Sequence, residues 1–130
     1  MQFNISSGML RAFSLLVIIQ YLLEEKTGEQ KTVLIDDFGE GLDYERATKL
    51  AKLVFSKMKQ NKIQFIATTN DYFLMNSVEI EYWNILQREW DKVKALNYIN
   101  SKELFDKFRL TGLNNFDLFS SDFLKKENKK

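Results

Sequence analysis

Between positions 12 and 23 the chain is apolar almost without interruption, broken only by Ser14 and Gln20. A helix that is apolar nearly all round must be buried on more than one face. Ser6 is a favoured N-cap, so the pattern predicts a helix from there to about Lys26. Residues 27–30 close it, with Gly28 as the stop. Residues 33–36 then form a short β-branched run that suits a buried strand. Leu50, Leu53, Val54 and Met58 recur at helical spacing and predict a second helix over residues 44–60, capped by Asp43. Lys49, Lys52, Lys57 and Lys59 lie mostly on its solvated face. Residues 63–69 read as the next strand, and strand–helix–strand in this rhythm argues for parallel pairing through a crossover.

Beyond Asn70-Asp71 the rhythm changes. A short helical turn is expected over residues 72–76, then a hairpin of residues 82–87 and 93–98 around Glu89-Trp90-Asp91. Ser101 should cap a helix that runs to Arg109 and ends at Thr111-Gly112. In residues 114–124, Phe116, Phe119 and Phe123 are spaced to dock one face. Residues 125–130 form a charged tail expected to be disordered, which leaves 1–124 as one modest domain. The fold expected is α/β: parallel strands with flanking helices, plus a C-terminal hairpin and helices.

Composition narrows the chemistry mainly by what is missing. The chain has no His and no Cys, which excludes imidazole bases, thiolate nucleophiles, zinc sites and disulfides from these residues. Any metal must be a hard cation held by oxygen, such as magnesium. A formal net charge of +1 gives no bulk attraction to nucleic acid or to an anionic membrane. The apolar run is about 12 residues long where a membrane span needs roughly 20, and Glu24-Glu25-Lys26 follows it where a signal peptide would need small residues. A cytoplasmic protein is expected, with no membrane partner.

Two adjacent carboxylates, Asp36 and Asp37, stand at the end of the first predicted strand and lead into the turn Gly39-Glu40-Gly41-Leu42-Asp43. Ligand chemistry in open α/β sheets gathers at such strand ends. Strand side chains alternate, so the two carboxylates should point differently. One could hold a hydrated magnesium ion while the other orients an attacking water, since phosphoryl transfer depends mainly on positioning and charge neutralisation. An acidic turn at a helix entrance, favoured by the dipole alone, accounts for the same residues. Ser6-Ser7-Gly8 at a helix start suits a phosphate, or is a plain cap. Thr68, Thr69 and Asn70 form a polar cluster where the second strand ends.

The order of these segments resembles the second half of an ABC-type ATPase. Under that resemblance Ser6, Ser7 and Gly8 look like the signature motif, with Arg11 the basic residue after it. Asp36 looks like the Walker B aspartate that holds the metal, and Asp37 takes the place of the catalytic glutamate. Gly41, Leu42 and Asp43 look like the D-loop, and Asn70 falls at the switch histidine's position as the second catalytic candidate. The later wording, Thr-Asn-Asp-Tyr-Phe-Leu-Met-Asn, Glu-Tyr-Trp and Thr-Gly-Leu-Asn-Asn-Phe, is similar to bacterial AAA-type, ABC-like ATP-binding proteins related to overcoming-lysogenization-defect and phage-defence ATPases. Asp37 is one methylene shorter than the usual glutamate, and Asn70 cannot act as an imidazole.

One motif is missing from these residues: no Gly-x-x-x-x-Gly-Lys-Ser/Thr occurs, and Gly28-Glu29-Gln30-Lys31-Thr32 has neither its spacing nor its context. The resemblance therefore implies the signature, Walker B and D-loop lobe of an ATPase whose P-loop half, or a homologous protomer, completes the site for ATP and Mg2+. That half is encoded either in the same longer chain or separately. A homo-oligomer is implied, with a nuclease effector as a candidate partner. Two other classes fit less. A phosphoacceptor receiver domain would need a Lys at a later strand end, which neither later strand supplies. A non-catalytic remnant could bind a protein partner through Phe105, Phe108, Phe116 and Phe119, although core packing is the commoner use of such residues.

Overall fold

The computed structural model describes residues 5–25, 28–121 and 123–124. The expected extended start at Phe3-Asn4, the helix end at Lys26 and the tail 125–130 lie outside them. The chain divides into two compact units, residues 1–74 and 75–130.

In the first unit, α1 (Ser7–Glu24) begins on Ser6, whose Oγ accepts from the Met9 amide at 3.3 Å. Glu25 closes it, so the stop comes before Gly28. Strand β1 (Thr32–Ile35) pairs in parallel with β2 (Gln64–Ala67), Val33 beside Phe65 and Leu34 beside Ile66. Between them α2 (Tyr44–Gln60) spans the interval that its periodicity predicts, with Asp43 Oδ1 accepting from the Arg46 amide at 2.9 Å. Its face of Ala47, Leu50, Ala51, Val54 and Met58 is buried, and Leu53 stays out at 46% exposed. Leu15, Ile19, Val33, Phe38 and Leu74 complete this core.

The expectation that α1 is buried on several sides is not met. Only Gly8, Leu15 and Ile19 are buried, and Leu10, Phe13, Val17 and Tyr21 are each more than half exposed. The stripe lies opposite the buried one, and among the described residues of this unit none covers it. By length and composition alone α1 could cross a membrane, a test that core helices of soluble proteins also pass.

The second unit follows α3 (Tyr72–Ser77) and a 3-10 turn (Ile80–Tyr82). Strands β3 (Asn84–Glu89) and β4 (Lys92–Asn97) form an antiparallel hairpin closed by Trp90-Asp91, with Glu89 paired to Lys92. The helices α4 (Lys102–Arg109) and α5 (Asn115–Ser120) pack Phe105, Phe108 and Leu118 against Ile80, Ile85 and Leu96. Phe105 and Phe108 are core, at 0% and 1% exposed, so neither is open to a partner. On α5 it is Leu118 that docks, while Phe119 is 55% exposed. Asn114 and Asp117 form a reciprocal capping box that starts this helix.

Candidate nucleotide site

Three segments of the first unit meet in one cleft of about 270 Å3: the start of α1, the end of β1, and the turn of residues 36–42. The turn is held from below. Phe38 is 4% exposed and packs against the rings of Phe55 and Phe65, at 6.2 and 5.9 Å between centroids. Its amide donates to the Thr68 carbonyl at 2.7 Å, tying the turn to the end of β2. Further bonds run from the Glu40 amide to the Asp37 carbonyl and from the Leu42 amide to the Gly39 carbonyl. Three turn residues take the left-handed region: Asp37 (φ 55°), Gly39 (92°) and Gly41 (75°). Asp is among the few non-glycine residues that tolerate this conformation.

The strand ends at Ile35, one residue earlier than the sequence pattern predicts, so the carboxylates do not sit on a strand. Their separation comes from the turn: Asp36 is exposed, and Asp37 enters the left-handed region half-buried. Both are fastened by one residue. The Thr68 hydroxyl donates to Asp36 Oδ1 at 2.6 Å and accepts the Asp37 amide at 2.8 Å. A single hydroxyl thus sets the position of both carboxylate-bearing residues.

Gly8 is where the backbones of α1 and the turn approach closely. A Cβ on Gly8 would overlap the Gly41 carbonyl, and one on Gly41 would come within 3.1 Å of the Gly8 Cα. The two glycines let these backbones touch. Arg11 adds a polar strut one turn along: it pairs with Glu40 and donates to the Asp36 carbonyl at 2.6 Å. Ser6 is engaged in capping, Ser7 is exposed beside Gly41, and Leu42 lines the cleft. Asp43 caps α2 and pairs with Arg46 at 2.9 Å. Asn70 is exposed and is not part of the cleft lining; Asp71 rather than Asn70 caps α3, accepting from the Leu74 amide at 2.8 Å.

Two contributors escaped the sequence reading in their actual roles. Thr68 figured there only as part of a polar cluster, and Glu40 only as one residue of the turn. Their partners lie about thirty positions away, at Asp36 and Arg11, and no local pattern reports a bond over that separation. Among the described residues no group of three or more His, Cys, Asp or Glu side chains could hold a metal ion. Magnesium needs less from a protein: it keeps most of its waters and takes one or two carboxylates together with substrate phosphates. Asp36, exposed and with one oxygen engaged by Thr68, is compatible with that role.

A family model described as "AAA domain, putative AbiEii toxin, Type IV TA system" matches residues 2–76, the stretch that holds every segment of the cleft. No curated protein matches the chain. One solved structure, described as structural biochemistry of ATP-driven dimerization and DNA-stimulated activation of SMC ATPases, is similar at 21% identity and a TM-score of 0.47. The similarity covers 81% of this chain and 62% of that one, so the chain spans less than two thirds of that structure's length. With more than half of its residues inside the family model, the chain belongs to this family of AAA-type ATPase domains.

Proposed function

We propose that this chain supplies the acidic and lid-forming lobe of an ABC-like ATP site, whose triphosphate grip is contributed by a P-loop-bearing half. The observation that carries the reading is the convergence of the Ser6-Ser7-Gly8 helix start, the Asp36-Asp37 strand end and the Gly41-Leu42-Asp43 turn, with Gly8 and Gly41 in backbone contact. In this reading Asp36 holds a hydrated Mg2+ that comes with ATP. Asp37 orients the attacking water, and Asn70 hydrogen-bonds a phosphate oxygen in place of a switch histidine. Ser6, Ser7, Gly8 and Arg11 close over nucleotide bound by another protomer, which makes the working form a homo-oligomer. The magnesium supplies charge neutralisation at the phosphates; what the chain's own residues do is fix where the two carboxylates stand.

The same reading treats residues 1–124 as part of one ATPase domain and places the protein in the cytoplasm. It groups the protein with phage-defence ATPases, for which a nuclease effector is a natural partner. Calorimetric titration of Mg-ATP into this chain alone is expected to give no binding at micromolar concentrations. Joining the chain to a Walker A-bearing half is expected to give ATPase activity that Asp36→Asn abolishes. Micromolar binding by the chain alone, or activity indifferent to Asp36→Asn, overturns the assignment. In the second case the reading that remains is a non-catalytic remnant that binds a protein partner.

A further inference from the structure

The end of β2 meets the acidic turn through one residue. Thr68 bonds to each of the consecutive residues 35–38. Its amide donates to the Ile35 carbonyl at 3.0 Å, its carbonyl accepts from the Phe38 amide at 2.7 Å, and its hydroxyl serves Asp36 and Asp37 between them. The two backbone bonds carry the pairing of β1 and β2 one step past Ile35 and Ala67, and they do not depend on the side chain at position 68. Phe38 has its own anchor in the rings of Phe55 and Phe65. What the hydroxyl adds is therefore confined to the acid pair.

The chemistry of its two partners fixes the direction of each hydroxyl bond. A backbone amide can only donate and a carboxylate only accept, so the hydroxyl accepts from Asp37 and gives its single proton to Asp36 Oδ1. No proton is left for a phosphate oxygen. The branched threonine side chain restricts χ1, which keeps the hydroxyl aimed at this pair. Among the described residues no hydrogen bond falls on Asp36 Oδ2 or on the Asp37 carboxyl. Both acids thus keep open oxygens while they are held elsewhere. For Asp37 the hold is on the backbone: its φ of 55° is a conformation that costs an L-residue energy, and the bond to Thr68 ties it to the end of β2.

We infer that Thr68 is a positioning residue for hydrolysis, acting through Asp36 and Asp37 rather than on the nucleotide; this rests on the ATP-site reading above. Its hydroxyl leaves Asp36 Oδ2 as the oxygen available to a cation and keeps Asp37 in a single backbone conformation. Outer hydrogen bonds that orient a metal-binding carboxylate are worth about 10–100-fold in metal affinity or activity.

Two variants test it. Thr68→Val removes the hydroxyl but keeps the branched shape and both backbone bonds, while Thr68→Ser keeps the hydroxyl. In the chain joined to a Walker A-bearing half, Thr68→Val is expected to lower kcat about 10–100-fold and to raise the Mg2+ concentration for half-maximal rate. The KM for ATP should stay unchanged, because the triphosphate grip lies in the other half, and Thr68→Ser should restore both losses. Unaltered kcat and Mg2+ dependence in Thr68→Val, in an assembly that Asp36→Asn inactivates, overturns the inference and leaves the ATP-site reading standing. No hydrolysis, or hydrolysis indifferent to Asp36→Asn, removes the reading and the inference together. Amide hydrogen exchange of the chain alone needs no nucleotide. The Asp37 amide is expected to be protected in the wild type and in Thr68→Ser, and to exchange about tenfold faster in Thr68→Val, the loss expected for one hydrogen bond. The Phe38 and Thr68 amides should be unchanged. An Asp37 amide that exchanges as fast in the wild type as in Thr68→Val overturns the inference whatever the ATPase assay gives.

Discussion

At the scale of single residues, the candidate site depends on two close approaches that only small or bifunctional side chains permit. Gly8 abuts the Gly41 carbonyl, and Thr68 bonds to both Asp36 and Asp37. The glycine contact is the more demanding, because it joins two backbones and neither can yield as a flexible side chain would. Gly8→Ala should therefore separate α1 from the turn despite alanine's better helix propensity. The expected loss is about 1–3 kcal/mol, as for overpacking in a well-packed site, read as a lower urea midpoint. A rise in stability, as propensity alone would give, would show that the contact is loose. The acidic pair and the helix start at Gly8 were visible as candidates from local pattern, and Gly41 through the resemblance to a D-loop. The sequence was silent on Thr68 as the common partner and on Glu40 as the partner of Arg11, because those bonds join positions 32 and 29 residues apart.

At the scale of elements, periodicity was informative wherever one face is buried and one is wet. The α2 pattern predicts its bounds and its Asp43 cap, and the alternating runs around Trp90 predict the hairpin. It failed for α1, whose apolar surface implies burial that these residues do not supply, and for α5, where Leu118 rather than Phe119 takes the buried position. Both failures have the same cause: apolar character says that a surface is suited to burial, while the partner that buries it is a tertiary fact. Between β4 and α4 the structure adds a link that sequence does not show. The Tyr98 hydroxyl donates to Asp106 Oδ1 at 2.8 Å. This bond, followed by burial and the Asp106 charge, raises the phenol above its ordinary 10.0. A group whose folded pKa is raised contributes stability that is fully present below its unfolded value and is lost as pH rises through the folded one. The stability advantage of the wild type over Tyr98→Phe should thus be constant through neutral pH and shrink above pH 10.0. Urea midpoints of the two proteins across alkaline pH measure it, and an advantage that grows above pH 10.0 contradicts the bond's sign.

At the scale of the whole chain, each unit has its own core and its own sheet. Val33, Leu50, Val54 and Met58 belong to the first, while Ile85, Leu96, Phe105 and Phe108 belong to the second. The family model ends at residue 76, close to where the units divide after Leu74, so the recognisable ATPase segments and the hairpin with its helices coincide with separate cores. A core confers cooperativity on the elements that share it, because a cavity is felt by the side chains around it. Met58→Ala and Phe105→Ala each open a cavity, at an expected cost of about 2–5 and 3–5 kcal/mol respectively. If the cores are energetically distinct, hydrogen exchange in Met58→Ala should accelerate in α1, α2, β1 and β2 while α4 and the hairpin keep their protection. Phe105→Ala should do the reverse. Equal acceleration throughout the chain in either variant would mean that one cooperative unit spans both cores. The acidic pair would then depend on the hairpin unit for its stability, although every residue that positions it lies before Met75.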